Sequence, residues 1–380
     1  MSDIKTMKNY FNRFSMVIVS STVMKKIGFL FTLLFSAISM SQTIVPLYEN
    51  TIALRIFQDG FTKTVEFQEV SEIEMGNDII TYLDTRENFC AFSNGVKTDL
   101  IPAVNEFKTS ETAVVYNSGP ITFMFKDGKN IVLTNFGSIY DVSDSLAVFV
   151  NTFDGAVYTR YKGENILMYS FLSGINKLGV LGENTFVFQN VAGDYVLFHR
   201  GVLTTLMNTQ YHVKIEAGLD VVAFNDPVSN TFAAYDNGEV VDVEDFHVKK
   251  YKAGHGFIAY EDINGNLKVF KDGSVETISS FPDFFEVKDS LVVFSEANML
   301  KVYYNGETTT LENFVPPVRV MKNGILAYKN LSQGVTAFIS GEKVNVTNEQ
   351  AGEIGINGNA VFYQNQNNRY VVYWAGKQYY

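Results

Sequence analysis

Leu291-Val292-Val293-Phe294-Ser295-Glu296-Ala297-Asn298-Met299-Leu300-Lys301-Val302-Tyr303-Tyr304-Asn305-Gly306 contains the pattern that decides the fold. An apolar strand ends in an aromatic residue and a polar pair. A second strand follows and closes on Asn-Gly, the dipeptide that supplies the positive φ angles of a two-residue hairpin turn. Extended outward, the unit covers 286–320. Glu286-Val287-Lys288 leads through Asp289-Ser290 into the quoted stretch, and Glu307 to Glu312 forms a fourth strand. Connections this short force antiparallel neighbours. The longer links, Phe281-Pro282-Asp283 and Phe314-Val315-Pro316-Pro317, pass from one unit to the next.

The hairpin glycine recurs at Gly60, Gly95, Gly128, Gly163, Gly201, Gly238, Gly273, Gly306, Gly341 and Gly376. The strand-ending aromatic recurs as Tyr48, Tyr82, Tyr116, Phe149, Phe188, Phe224, Tyr260, Phe294, Tyr328 and Tyr363. The two series keep step at intervals of about 35 residues, the signature of a repeat architecture. Phe and Tyr abundance (32 and 21) suits pleated, half-buried surfaces, and no long helical pattern follows residue 42.

The expected fold is therefore all-β: a β-propeller of about ten short four-stranded antiparallel repeats. It could form one ring, or two lobes jointed near Leu172–Leu181, where the spacing stretches. A β-solenoid is the structural alternative. Common rings have about four to eight blades, so ten in one ring would be unusual. The first unit starts at its second strand (Thr43 to Tyr48), and the last ends in Lys377-Gln378-Tyr379-Tyr380. The termini can thus meet and close a ring, which removes open edges.

Residues 1–41 read as an export signal. Met24-Lys25-Lys26 precedes an apolar run from Ile27 to Ile38 and small residues before Gln42. Met24 is the expected start, and 42–380 the repeat domain. The run is short for a membrane span, no other segment resembles one, and no cysteine follows it. The expected location is the periplasm or outside the cell.

The net charge is −11. Residues 1–41 carry five basic side chains against Asp3 alone, so the remainder is more acidic still. Such a chain repels phosphate backbones, which excludes nucleic acid as a natural partner. The single cysteine, Cys90, lies in an apolar strand and reads as a small buried hydrophobe.

His199, His212, His247 and His255 form no metal-binding spacing. His199 and His255 read as plain turn or surface residues. Turn acids include Asp141, Asp144, Asp220, Asp226, Asp262 and Asp289. Asp262-Ile263-Asn264-Gly265-Asn266 faintly resembles the start of a calcium loop, without the downstream Glu. There is no Gly-x-Ser-x-Gly, no sialidase-type box and no phosphate loop, and Trp374 is the only tryptophan. No catalytic, cofactor-binding or metal-binding residue is selected, and no cofactor is expected.

The unit resembles β-propeller blades, without the Trp-Asp ending of WD40 blades or the Gly-Gly pair of kelch blades. An export signal ending before Gln42 and followed by such blades is similar to accessory envelope proteins of Gram-negative bacteria. One example is the periplasmic plug subunit of the type 9 secretion translocon. That resemblance implies a role in protein transport, with another envelope or outer-membrane protein as partner. The expected function is a non-enzymatic protein–protein interaction module. The alternatives are a propeller hydrolase or lyase acting on cell-wall or sugar substrates, and a glycan or small-ligand binder.

Overall fold

The computed structural model describes residues 43–49, 53–170, 179–190 and 192–380. The segment read above as an export signal, 1–41, and part of the stretch at Leu172–Leu181 lie outside these. Among the described residues every regular element is a strand. They form ten antiparallel sheets in chain order, each a meander of consecutive strands. We number them blades 1 to 10, at 44–66, 71–101, 106–134, 137–170, 179–208, 215–244, 250–280, 284–312, 319–347 and 354–379. Blades 2 to 10 have four strands, and blade 1 has three among the described residues.

Blade 8 shows how closely the residues dictate the elements. Its strands are Phe284–Lys288, Leu291–Glu296, Met299–Tyr304 and Glu307–Glu312, as the turn residues require. In all ten blades both central residues of the last hairpin have positive φ, for example Asn305 and Gly306 at 50° and 87°. That is the type I′ geometry whose twist matches the flanking strands. Second strands such as Ala113–Ser118 are almost wholly buried, because a neighbouring blade covers each face. Outer strands such as Glu307-Thr308-Thr309-Thr310-Leu311-Glu312 are charged and Thr-rich, which discourages edge pairing.

Each blade packs on the next through one apolar cluster. Val148, Phe186 and Phe198 join blades 4 and 5, so no joint divides the ring into two lobes at Leu172–Leu181. Ile44, Ile56, Tyr82 and Phe92 join blades 1 and 2. The ring closes where Val45, Leu47 and Phe57 of blade 1 meet Phe362 and Val372 of blade 10. The Phe57 and Tyr379 rings lie 5.1 Å apart there. The termini thus meet in neighbouring sheets and share none.

A polar clasp recurs between blades. The hydroxyls of Tyr82, Tyr260 and Tyr328, all buried marker aromatics, donate to Glu66, Glu244 and Glu312 of the preceding blade. The distances are 2.9, 2.7 and 2.9 Å. Each glutamate also meets a lysine: Lys97, Lys268 or Lys343. Cys90 is buried, and its thiol donates to Asp99.

Candidate functional site: two faces of the ring

A four-stranded meander places two of its turns on one face of the ring. The middle loop and the link to the next blade lie on the other. The first face surrounds the mouth of the channel, where a cavity of about 560 Å³ opens. The ends of the first strands are drawn together there. At one equivalent position, blades 2 to 7 carry Gly76, Ser110, Ser143, Gly182, Gly218 and Gly254. A Cβ on Gly218 would lie 2.2 Å from the Gly254 carbonyl oxygen, so at Gly218 only glycine fits.

Blades 9 and 10 carry Lys322 and Asn357 at that position, near blade 1. Asn357 is fully buried. Its Nδ2 donates to the carbonyls of Ile44 and Gly76, and its Oδ1 accepts from Lys322 Nζ at 2.7 Å. Lys322 also reaches Glu111 Oε2 at 3.1 Å. Burial raises the pKa of Glu111, and the charges of Asp144 and Asp289 add to this against the pull of Lys322.

His255 joins the same mouth. Its Nε2 lies 2.7 Å from Glu183 of blade 5 and 3.4 Å from Asp289 of blade 8. Burial opposes its protonation, but the hydrogen bond and charge of Glu183, together with Asp289, raise its pKa against repulsion from Lys288. His255 is therefore an interblade contact, half-exposed, and more than a plain turn residue.

His199 also departs from the sequence expectation, because it is buried. Its Nε2 lies 2.7 Å from Asp220 Oδ1 and its Nδ1 3.0 Å from the Tyr235 hydroxyl, both in blade 6. Burial works against ionisation of Asp220, yet hydrogen bonds from Asn184 and His199 and the Arg200 charge hold it below the usual carboxylate range. The group fastens blade 5 to blade 6. His212 is exposed, and the His247 ring meets the Asp226 carbonyl.

Asp262 is capped from within its own loop. Its Oδ1 accepts from the backbone N–H groups of Asn264 and Asn266, and its Oδ2 from Asn266 Nδ2 and Lys268. Asp84 accepts from Arg86 and Asn88 in the same way, which makes this a hairpin device of the repeat. Among the described residues no group of three or more His, Cys, Asp or Glu is disposed to hold a metal ion.

The second face is different. Its tips carry exposed apolar side chains at half-blade intervals: Tyr211, Val228, Phe246, Ile263 and Phe281 are 17 or 18 residues apart. Phe136 and Phe153, also 17 apart, stack with their rings 5.8 Å from each other. Phe67 and Leu331 are exposed on the same face. The half-period was readable in the sequence. Residue type alone does not mark it, because only exposure separates these tips from core aromatics.

Ten blades closed about one axis define the class of the protein, a ten-bladed β-propeller. The chain belongs to the 10-bladed beta propeller domain family, whose profile matches residues 38–379. No curated protein matches the sequence. BamB from Moraxella catarrhalis is similar at 8% identity and a TM-score of 0.32, covering 90% of this chain and 100% of that one. PorZ is an essential bacterial surface component of the type-IX secretion system of Porphyromonas gingivalis. It is similar at 10% identity and a TM-score of 0.28, covering 90% of this chain and 59% of that one. The computationally designed Ika8 protein is similar at 15% identity and a TM-score of 0.31, covering 70% of this chain and 97% of that one.

Proposed function

We propose that the chain is an exported protein–protein interaction module of the bacterial envelope. The observation that carries this reading is the arc of exposed apolar tips on one face. An arc of large exposed side chains on one face of a soluble domain marks a contact surface, whereas scattered single ones do not. The basic and apolar segment before Gln42 supports export. In its narrower form the partner belongs to an outer-membrane protein translocon, as in type 9 secretion. Gentle purification from native membranes tests both forms: a stoichiometric partner is expected, and a partner-free monomer sinks the reading. Co-purification with a large outer-membrane barrel distinguishes the narrower form.

One observation favours a second reading, a hydrolase or lyase. Glu111, Asp144, Glu183, Asp289, His255 and Lys322 converge on one mouth from six blades. Most are occupied holding blades together, as when Asp144 accepts the Thr112 backbone N–H. Turnover of peptidoglycan fragments or oligosaccharides that disappears in Asp289→Asn would establish this reading.

A further inference from the structure

We infer that the apolar arc receives a protein whose apolar contact surface is rimmed by lysine and arginine. This rests on the interaction-module reading and assigns the face and the partner's chemistry. Phe153 is 82% exposed, Phe281 75%, Tyr211 72% and Phe246 57%. With aromatic side chains burying about 150–250 Å² each, these four present about 550 Å². Together with Phe67, Phe136 and the aliphatic tips, the face reaches the roughly 800 Å² that one side of a standard interface buries.

The charges beside the tips choose the occupant. Exposed carboxylates lie within two residues of four of the phenylalanines: Glu69 by Phe67, Asp154 by Phe153, Asp245 by Phe246 and Asp283 by Phe281. A second copy docked face to face would set carboxylate against carboxylate. An anionic bilayer would be repelled too, because the lysines nearest the tips, Lys214 and Lys249, are each paired with a glutamate, Glu216 and Glu261. A basic rim complements the pattern and would speed encounter.

The test uses the full chain in its native cells, with a photoreactive benzoylphenylalanine at position 153 or 281 on the apolar face, or at 127 or 272 on the mouth face. The expected result is an adduct to one protein from 153 and 281 alone, mapping to an apolar patch flanked by Lys or Arg. Phe246→Ser should cut the yield from 153 and 281 tenfold or more. The combined Asp154→Lys, Asp245→Lys and Asp283→Lys variant should cut the yield from 281 severalfold. Unchanged circular dichroism would show that these surface variants fold. An adduct to a second copy or to lipid, a patch without basic residues, or a yield indifferent to charge reversal overturns the inference. Adducts from the mouth face alone overturn it and leave the module reading standing. No adduct from either face overturns both.

Discussion

Replacing Asn357 with Ala tests how the ring is held at its irregular blade. The carboxamide is fully buried and serves three partners: the carbonyls of Ile44 and Gly76, and the Lys322 ammonium. Lys322 keeps Glu111 when the amide is lost. The two carbonyls have no such substitute, and an orphaned buried polar group costs about 1–3 kcal/mol. Partial entry of water into the space lowers the upper end, so the expected loss is about 2–4 kcal/mol. Asn357→Asp should cost at least as much, because it keeps the shape but turns both donors into acceptors facing carbonyl oxygens. Asn367→Ala, on an exposed loop tip, should stay within about 0.5 kcal/mol. Equilibrium urea denaturation followed by fluorescence and far-UV circular dichroism measures all three. A loss under about 1 kcal/mol for Asn357→Ala would refute the view that this side chain fastens blade 10 to blades 1 and 2.

Tyr328→Phe should lose about 0.5–1.5 kcal/mol, and adding Glu312→Leu should recover part of it by recreating the Phe149 and Leu133 pairing between blades 4 and 3; a denaturation double-mutant cycle reads the coupling. His255 has a folded pKa raised above 6.5, so its contribution is fully present below that value and is lost as pH rises through the folded pKa. Wild type should therefore lose stability relative to His255→Gln as the pH rises above 6.5, and parallel pH profiles would contradict this. Burial pushes the Cys90 thiol up to about 12, with the Asp99 hydrogen bond adding to it, so iodoacetamide should label Cys90 only after unfolding. Gly238 sits at φ 102° with open space around it, so Gly238→Ala should cost about 1 kcal/mol through backbone strain alone, visible as a lower urea midpoint.

The blade plan was legible because turn chemistry is local. Asn-Gly, Asp-Gly and their substitutes fixed every last hairpin, and continuous apolar runs fixed the doubly covered strands. Even the clasps leave a trace: sixteen residues before a marker aromatic stands Glu for Tyr82, Tyr260 and Tyr328, but Leu or Ile for Phe149, Phe294 and also Tyr116, whose hydroxyl donates to Asn130 instead. Ring closure was less legible, because it depends on side chains more than 300 residues apart, such as Thr43 and Asn359. The extra residue that shifts the register between third and fourth strands, as at Leu300/Lys301, has no residue-type signature either. The mouth cluster was hidden for a similar reason. Glu111, Glu183, His255 and Asp289 come from separate blades, and each alone looks like an ordinary turn residue.

Blade 1 carries Pro46 on its inner strand, paired across from Ile56. Proline has no N–H to donate, and Asn357 already occupies the Ile44 carbonyl beside it. That strand therefore offers little to any incoming extended peptide. Among the described residues, an extended peptide pairing at this edge of blade 1 would first have to displace the Asn357 carboxamide.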